Sequence, residues 1–260
     1  MVTRRDEHKQ PMTITIWILI TLLVASGAVI AIMRDWRFSL IAVLVNYIAQ
    51  GLFIAQQQFV VPDLVIAGRQ FSSLVFIKLI TGIGVAIILG ITALTFSREY
   101  GLEDLDEFSL AELRRAARVA QRASSQENRK VGDYIVPIWS TVLVGLASFF
   151  LPRVLPLAVE MYPDQVGLAR AIDFMWYWQV FIGLISLVLA TDILKIGLGL
   201  LLCLSGLDLL YTTLANRINI LALGTLSLVT LLLALAIAYL SGLLYGRFKT
   251  LNLSETERLK

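Results

Sequence analysis

Seven long apolar runs organise the chain, at residues 14–33, 36–59, 71–96, 135–151, 174–191, 193–214 and 218–246. At about 1.5 Å of rise per helical residue, a run of about twenty residues crosses the roughly 30 Å hydrocarbon core of a bilayer. The pattern therefore predicts an all-α, polytopic integral membrane bundle of about seven transmembrane helices. Two runs lie nearest the limit. Pro137, Pro152 and Pro156 crowd the fourth, and the fifth is only about eighteen residues long. The predicted organisation is a three-helix membrane segment over 1–97, a charged loop over 98–134, the fourth span with a Pro-containing loop over 135–173, a second three-helix segment over 174–246, and a polar tail over 247–260.

The charged loop carries its own helix signal. Acidic residues Glu99, Glu103, Asp104, Asp106 and Glu107 come first, followed by Ser109-Leu110-Ala111-Glu112. The S-x-x-E spacing lets each side chain satisfy a free backbone donor of the other residue, so a helix is expected to start at Ser109. Leu110, Leu113, Ala117 and Ala120 recur at helical spacing opposite a face of arginines, and acid precedes base along the helix dipole. Two readings stay open for this amphipathic cytoplasmic helix: a solvated loop, or a helix lying on anionic lipid or against a neighbouring subunit.

Composition agrees with the membrane class. Hydrophobic residues make up 58% of the chain and charged residues 16%, with a mean hydropathy of +0.79. Such a balance lies outside the range of soluble globular domains. The placement of basic residues sets an expected orientation. With the amino terminus outside and the carboxyl terminus inside, fourteen Lys and Arg fall on the inner side, among them Arg114, Arg115, Arg118 and Arg122, against seven outside. The positive-inside rule favours that arrangement, although Arg4, Arg5 and Lys9 before the first span pull the other way. The expected location is the cytoplasmic membrane of a prokaryote. The first run meets Arg34-Asp35-Trp36 rather than a small-residue cleavage site, so it reads as a retained helix rather than a signal peptide.

Within the apolar runs, ionisable residues stand out. Lys78 lies in the third span and Asp208 in the sixth. An ionisable group in hydrocarbon costs several kcal/mol unless it faces protein or water, so each marks a partner or a path for charge. Lys78 lies about 10 Å from the start of its run, close enough for a long side chain to reach the interface instead. Asp208 has no such reach, and if deep it needs a partner such as Lys78, or a proton. Asn46 and Gln50 form an i, i+4 polar pair in the second span, readable as interhelical hydrogen bonding or as the lining of a hydrated path. Gly82, Gly84 and Gly90 in the third span, and Gly197, Gly199 and Gly206 in the sixth, permit close helix approach.

Most soluble chemistry is excluded by inventory. The only histidine is His8, in the polar tail before the first span, and the only cysteine is Cys203, inside an apolar run. With that histidine in the polar tail and that cysteine without a partner cysteine, neither a His-based triad nor a Cys or His metal cluster is expected. There is no P-loop pattern, and nothing beyond the arginine-rich helix speaks for nucleic acid. No catalytic residue, metal or cofactor is expected.

Toward the carboxyl end the sequence resembles a family. The segments FMWYWQVFIGLISLVLA, TDILKIGLGLLLCLSGLDLLYTTL and NRINILALGTLSLVTLLLALAIAYLSGLLY resemble the small K subunit of respiratory complex I (NuoK) and its relatives in Mrp-type antiporters (MrpC). The longer component E of membrane-bound nickel–iron hydrogenases (HyfE) is more similar still. Asp192-Ile193-Leu194-Lys195 occupies the place of that family's polar Asn-Ile-Leu-Arg turn, with Gly199 and Gly206 at matching distances, and Phe76-Ile77-Lys78-Leu79 is similar to the setting of an early Lys in the third span of HyfE-like chains. The resemblance touches most of the chain apart from the arginine-rich insert. It also departs from the family at one chemical point. The family's proton-conducting glutamate falls on Leu204 in the HyfE register or Gly199 in the K register, and the last span has no acid. Asp208 stands one turn beyond Leu204 on the same face.

The resemblance implies a non-catalytic membrane subunit of a proton- or sodium-translocating complex, packed among antiporter-like subunits and belonging to an oxidoreductase or antiporter assembly. On this reading Lys78, Asp208, Asn46 and Gln50 belong to an ion path or buried-charge cluster, and Asp192 with Lys195 shapes the cytoplasmic turn. The missing glutamates imply a scaffold or partial half-channel rather than a complete one. The alternatives are a stand-alone small-solute or ion transporter, which predicts a broken helix around a midplane site, and a membrane protein of purely structural role.

Overall fold

A computed structural model describes residues 14–33, 36–55, 63–66, 69–99, 132–190, 192–214 and 220–248. The arginine-rich helix expected from Ser109 and the polar tail from residue 249 lie outside the described residues. Among the described residues, seven helices are long and apolar enough to cross a membrane. They are α1 (Ile14–Ile32), α2 (Trp36–Ala55), α3 (Ser73–Glu99), α4 (Gly132–Val154), α6 (Val166–Val188), α7 (Ile193–Leu214) and α8 (Ile220–Phe248). A five-residue helix, α5 (Leu157–Met161), and a 3-10 turn at Pro163–Gln165 join α4 to α6. Among the described residues the only strands form a small antiparallel hairpin, β1 (Asp63–Ile66) and β2 (Arg69–Ser72), which pairs Asp63 with Ser72 and leads into α3.

The marginal spans are longer than hydropathy alone gives. Helix α6 begins at Val166, eight residues before the apolar run, because Ala169, Ala171 and Ile172 bury a helical face while Arg170 and Asp173 dilute the hydropathy. Helix α4 keeps both Pro137 and Pro152. Pro137 lies in the second turn, where the hydroxyls of Ser140 and Thr141 donate to its carbonyl. The helix gives out where Pro156 drives Leu155 away from helical backbone.

Helices α1, α2 and α3 form one row, and α6, α7 and α8 lie behind them, α1 against α6, α2 against α7 and α3 against α8. Helix α4 closes one end against α6 and α1. The tightest pair is α6 with α7, where backbones nearly touch. A Cβ on Gly183 would lie 2.7 Å from the Cys203 nitrogen, and one on Gly206 would lie 2.8 Å from the Val180 nitrogen. A side chain at either position would separate the helices. Gly90 carries no such burden, since its nearest neighbour is a Leu40 methyl at 4.0 Å.

The side on which α1 begins is the N-side, and the side on which α8 ends is the C-side. Exposed aromatics mark both levels, Trp17 and Tyr211 toward the N-side and Trp139 and Tyr239 toward the C-side, where amphipathic rings meet the headgroups. The interior is divided in depth. One apolar cluster, including Ile30, Val43, Leu89, Ile182, Leu198 and Ile237, fills the C-side half. A second, including Leu23, Phe53, Ile172, Met175 and Leu209, fills the N-side half.

Candidate functional site

Along six helices the step from one apolar cluster to the other passes through buried polar residues: Ser26 on α1, Asn46 and Gln50 on α2, Lys78 and Thr81 on α3, Gln179 on α6, Ser205 and Asp208 on α7, and Thr230 on α8. They form a polar layer across the bundle. The hydrogen bonds of its amides run between helices. Asn46 donates through Nδ2 to the Ser26 hydroxyl at 2.9 Å and accepts at Oδ1 from Gln179 Nε2 at 3.2 Å. Ser205 donates to Gln50 Oε1 at 2.7 Å, and Gln50 returns a bond from Nε2 to the Ser205 carbonyl at 2.6 Å. The Asn46–Gln50 pair thus joins α1, α6 and α7 by interhelical hydrogen bonds.

Lys78 and Asp208 meet at the N-side edge of this layer, Lys78 Nζ pairing with Asp208 Oδ2. Their residue exposures are 3% and 4%, so Lys78 does not reach for the interface. Asp208 lies three residues inside Tyr211, or about 4.5 Å along α7. The pair therefore lies close to the N-side surface and is nevertheless covered. Position on α3 is fixed partly by Gly51 on α2, where a Cβ would come within 3.0 Å of the Lys78 Cβ. Each charge stands toward the less favourable end of its helix, Lys78 in the second turn of α3 and Asp208 two turns from the end of α7. The helix dipoles do not select this placement. The partner does.

The layer also keeps unused capacity. Asp208 Oδ1, Gln179 Oε1 and Trp178 Nε1 are buried without a hydrogen-bond partner. Buried polar atoms of this kind are places for water or a transient partner, because leaving one bare costs about 1–3 kcal/mol. A carboxylate with one oxygen on an ammonium and the other free can accept a further donor. The chemistry available here is the acceptance, relay or neutralisation of charge. Among the described residues no group of His, Cys, Asp and Glu is placed to hold a metal ion.

Asp192 and Lys195 stand apart from this layer, at the opposite end of α7. The Asp192 carboxylate accepts the Lys195 backbone N–H at 2.7 Å, an N-cap that satisfies a free donor of the helix's first turn. Cys203 is half-buried, its thiol directed to the Val180 carbonyl at 3.4 Å.

Sequence reasoning missed Gln179, Ser205, Ser26 and Asp173. Gln179 had a signal, as the one amide in the aromatic run from Phe174 to Phe181. Asp173 lay just outside the expected span. In the structure it is fully buried, and its Oδ1 accepts from the Ala158 N–H at 2.9 Å and Trp176 Nε1 at 3.1 Å. The serines carried no signal, since hydroxyls in membrane helices commonly bond their own backbone.

The fold and the buried pair define an integral membrane protein with seven spanning helices among the described residues. No protein-family model matches the chain, and neither a curated protein nor a solved structure matches it.

Proposed function

We propose that this chain is a non-catalytic membrane subunit of a proton- or sodium-translocating complex of the hydrogenase, complex I or Mrp-antiporter type, contributing part of an ion path. The observation that carries this reading is the Lys78–Asp208 pair, buried at the edge of a polar layer to which six helices contribute. A membrane protein that needs only to fold can be built from apolar contacts. Paired intramembrane charges joined to unsatisfied acceptors fit a task of moving or balancing charge. The missing family glutamates and the N-side position of the pair fit a partial path completed by neighbouring antiporter-like subunits. In this reading the amino terminus faces outward and the carboxyl terminus the cytoplasm of a prokaryotic cell.

A mild-detergent purification of the tagged protein from its own membranes tests the proposal, with the co-purifying chains identified by mass spectrometry. Stoichiometric recovery of antiporter-like and redox subunits is expected. Recovery of the chain alone overturns the complex and leaves a stand-alone transporter as the reading to test.

A further inference from the structure

Helix α4 packs against α6 and α1 and turns the rest of its surface outward, with Leu143, Leu146, Phe149 and Phe150 each more than half exposed along it. Arg153 follows Phe149 and Phe150 by four and three residues, the spacings that bring helical side chains onto one face. Its guanidinium lies 4.7 Å from the Phe149 ring centroid and 5.1 Å from that of Phe150, and the two rings meet edge to face at 5.5 Å. A side chain long enough to extend into water is instead drawn back along the helix over two rings. Arg153 is exposed, and among the described residues no acidic group pairs with it.

The depth of this contact decides what it needs. A Cβ on Gly145 would lie 3.4 Å from Cζ3 of Trp178, the chain neighbour of Gln179 in the polar layer, and Arg153 lies eight residues further toward the N-side, about 12 Å along the axis. Half of the roughly 30 Å hydrocarbon core is about 15 Å, so a guanidinium drawn back over the rings stands inside the edge of the hydrocarbon. The aromatic faces answer part of its charge, but cation–π attraction is smaller than the cost of an ion in hydrocarbon. The rings also leave the edge of the guanidinium open. Five N–H donors lie in that plane, in a fork that matches phosphate oxygens two at a time. On a face turned to lipid, the acceptor at this depth is a phospholipid headgroup. We propose that Arg153, Phe149 and Phe150 form a binding site for an anionic phospholipid, the guanidinium holding the phosphate while the rings and Leu146 lie along the first acyl carbons. A net negative headgroup is favoured because a zwitterionic one brings its own ammonium, which competes for the same phosphate. The site does not depend on the ion-path reading. It sets lipid, rather than a neighbouring subunit, against the outer face of α4.

The test is photocrosslinking on the full chain, with whatever subunits co-purify, in nanodiscs of phosphatidylcholine holding a trace of phosphatidylglycerol with a diazirine early in its acyl chain. Crosslinks mapped by mass spectrometry should fall on Leu146, Phe149 and Phe150. Their yield should be about tenfold above that of phosphatidylcholine carrying the same diazirine, the scale of one charge-assisted hydrogen bond. Arg153→Gln should remove that advantage. Arg153→Lys keeps the charge without the fork and should recover only part of it. Arg170→Gln, which removes another exposed arginine on the N-side, should leave the yield unchanged. Equal yields for the two lipids in the parent overturn the site. So do equal losses in Arg153→Gln and Arg170→Gln, or full recovery in Arg153→Lys, since each reduces the contact to a general attraction between surface charge and lipid. A co-purifying subunit that covers α4 and leaves it without lipid crosslinks overturns the site as well.

Discussion

Removing one member of the Lys78–Asp208 pair should be far worse than removing both. In Lys78→Met the Asp208 carboxylate keeps its 4% exposure and loses its one described partner, while Oδ1 is already without a hydrogen bond. Breaking a buried pair from one side costs about 3–5 kcal/mol, because the remaining charge is uncompensated, whereas replacing both members with apolar side chains of similar volume is often neutral or stabilising. Lys78→Met and Asp208→Leu alone should each lower stability by about 3–5 kcal/mol, and the double variant should return to within about 1 kcal/mol of the parent. Unfolding in mixed micelles by titrated SDS gives the three values and hence the coupling. Ion movement in reconstituted vesicles, measured on the intact assembly, separates structure from function, since the double variant should be folded yet inactive. Single variants that each cost less than about 1 kcal/mol would refute the burial argument. A double variant that moves ions at the parent rate would refute the functional one.

Other perturbations give smaller, separable effects. Gly183→Ala sets a methyl against the Gly199 carbonyl and the Cys203 nitrogen, at 2.8 and 2.7 Å, and should cost about 1–3 kcal/mol in the same SDS titration. Gly90→Ala, with its open surroundings, should be neutral or slightly stabilising. Asn46→Leu removes the bonds to Ser26 and Gln179, and because interhelical hydrogen bonds in membranes average about 0.6 kcal/mol each, the loss should be about 1 kcal/mol, well below that of Lys78→Met. Asp192→Ala removes the α7 cap at a cost of about 1 kcal/mol, read by hydrogen–deuterium exchange as faster exchange at the Lys195 amide with the polar layer unchanged.

The spans were legible because hydrocarbon imposes length and apolarity on every crossing segment, and Lys78 and Asp208 were legible because charge is rare there. Hydropathy misjudged α6, whose first two turns carry Arg170 and Asp173 yet remain helical through buried alanines. Gly82 and Gly206 read as close-approach positions and meet Tyr47 and Val180, but Gly90 has the same local pattern without the neighbour. What periodicity could not supply was the pairing of residues far apart in sequence. Gln179 and Ser205 gain their meaning from Asn46 and Gln50 on a helix more than a hundred residues earlier, and nothing local to either segment encodes that meeting. The contacts of the α4–α6 connection have the same character, since Asp173 accepts the Ala158 N–H of a segment that reads as loop and Tyr162 finds its acceptor, the Thr213 carbonyl, on another helix.

The separation of Lys78 from Asp208 has a consequence for biogenesis. Asp208 follows Lys78 by 130 positions, and at synthesis rates of about 5–20 residues per second Lys78 enters the bilayer roughly 7–26 s before its carboxylate leaves the ribosome. Through that interval the third helix holds a lone ammonium. Its place in the second turn of α3 makes the wait tolerable, because a lysine so close to the helix end can extend to the headgroups until the sixth crossing arrives. A lysine moved two turns deeper would face the same wait without that refuge, so the shallow depth of the pair serves the order in which the helices are made.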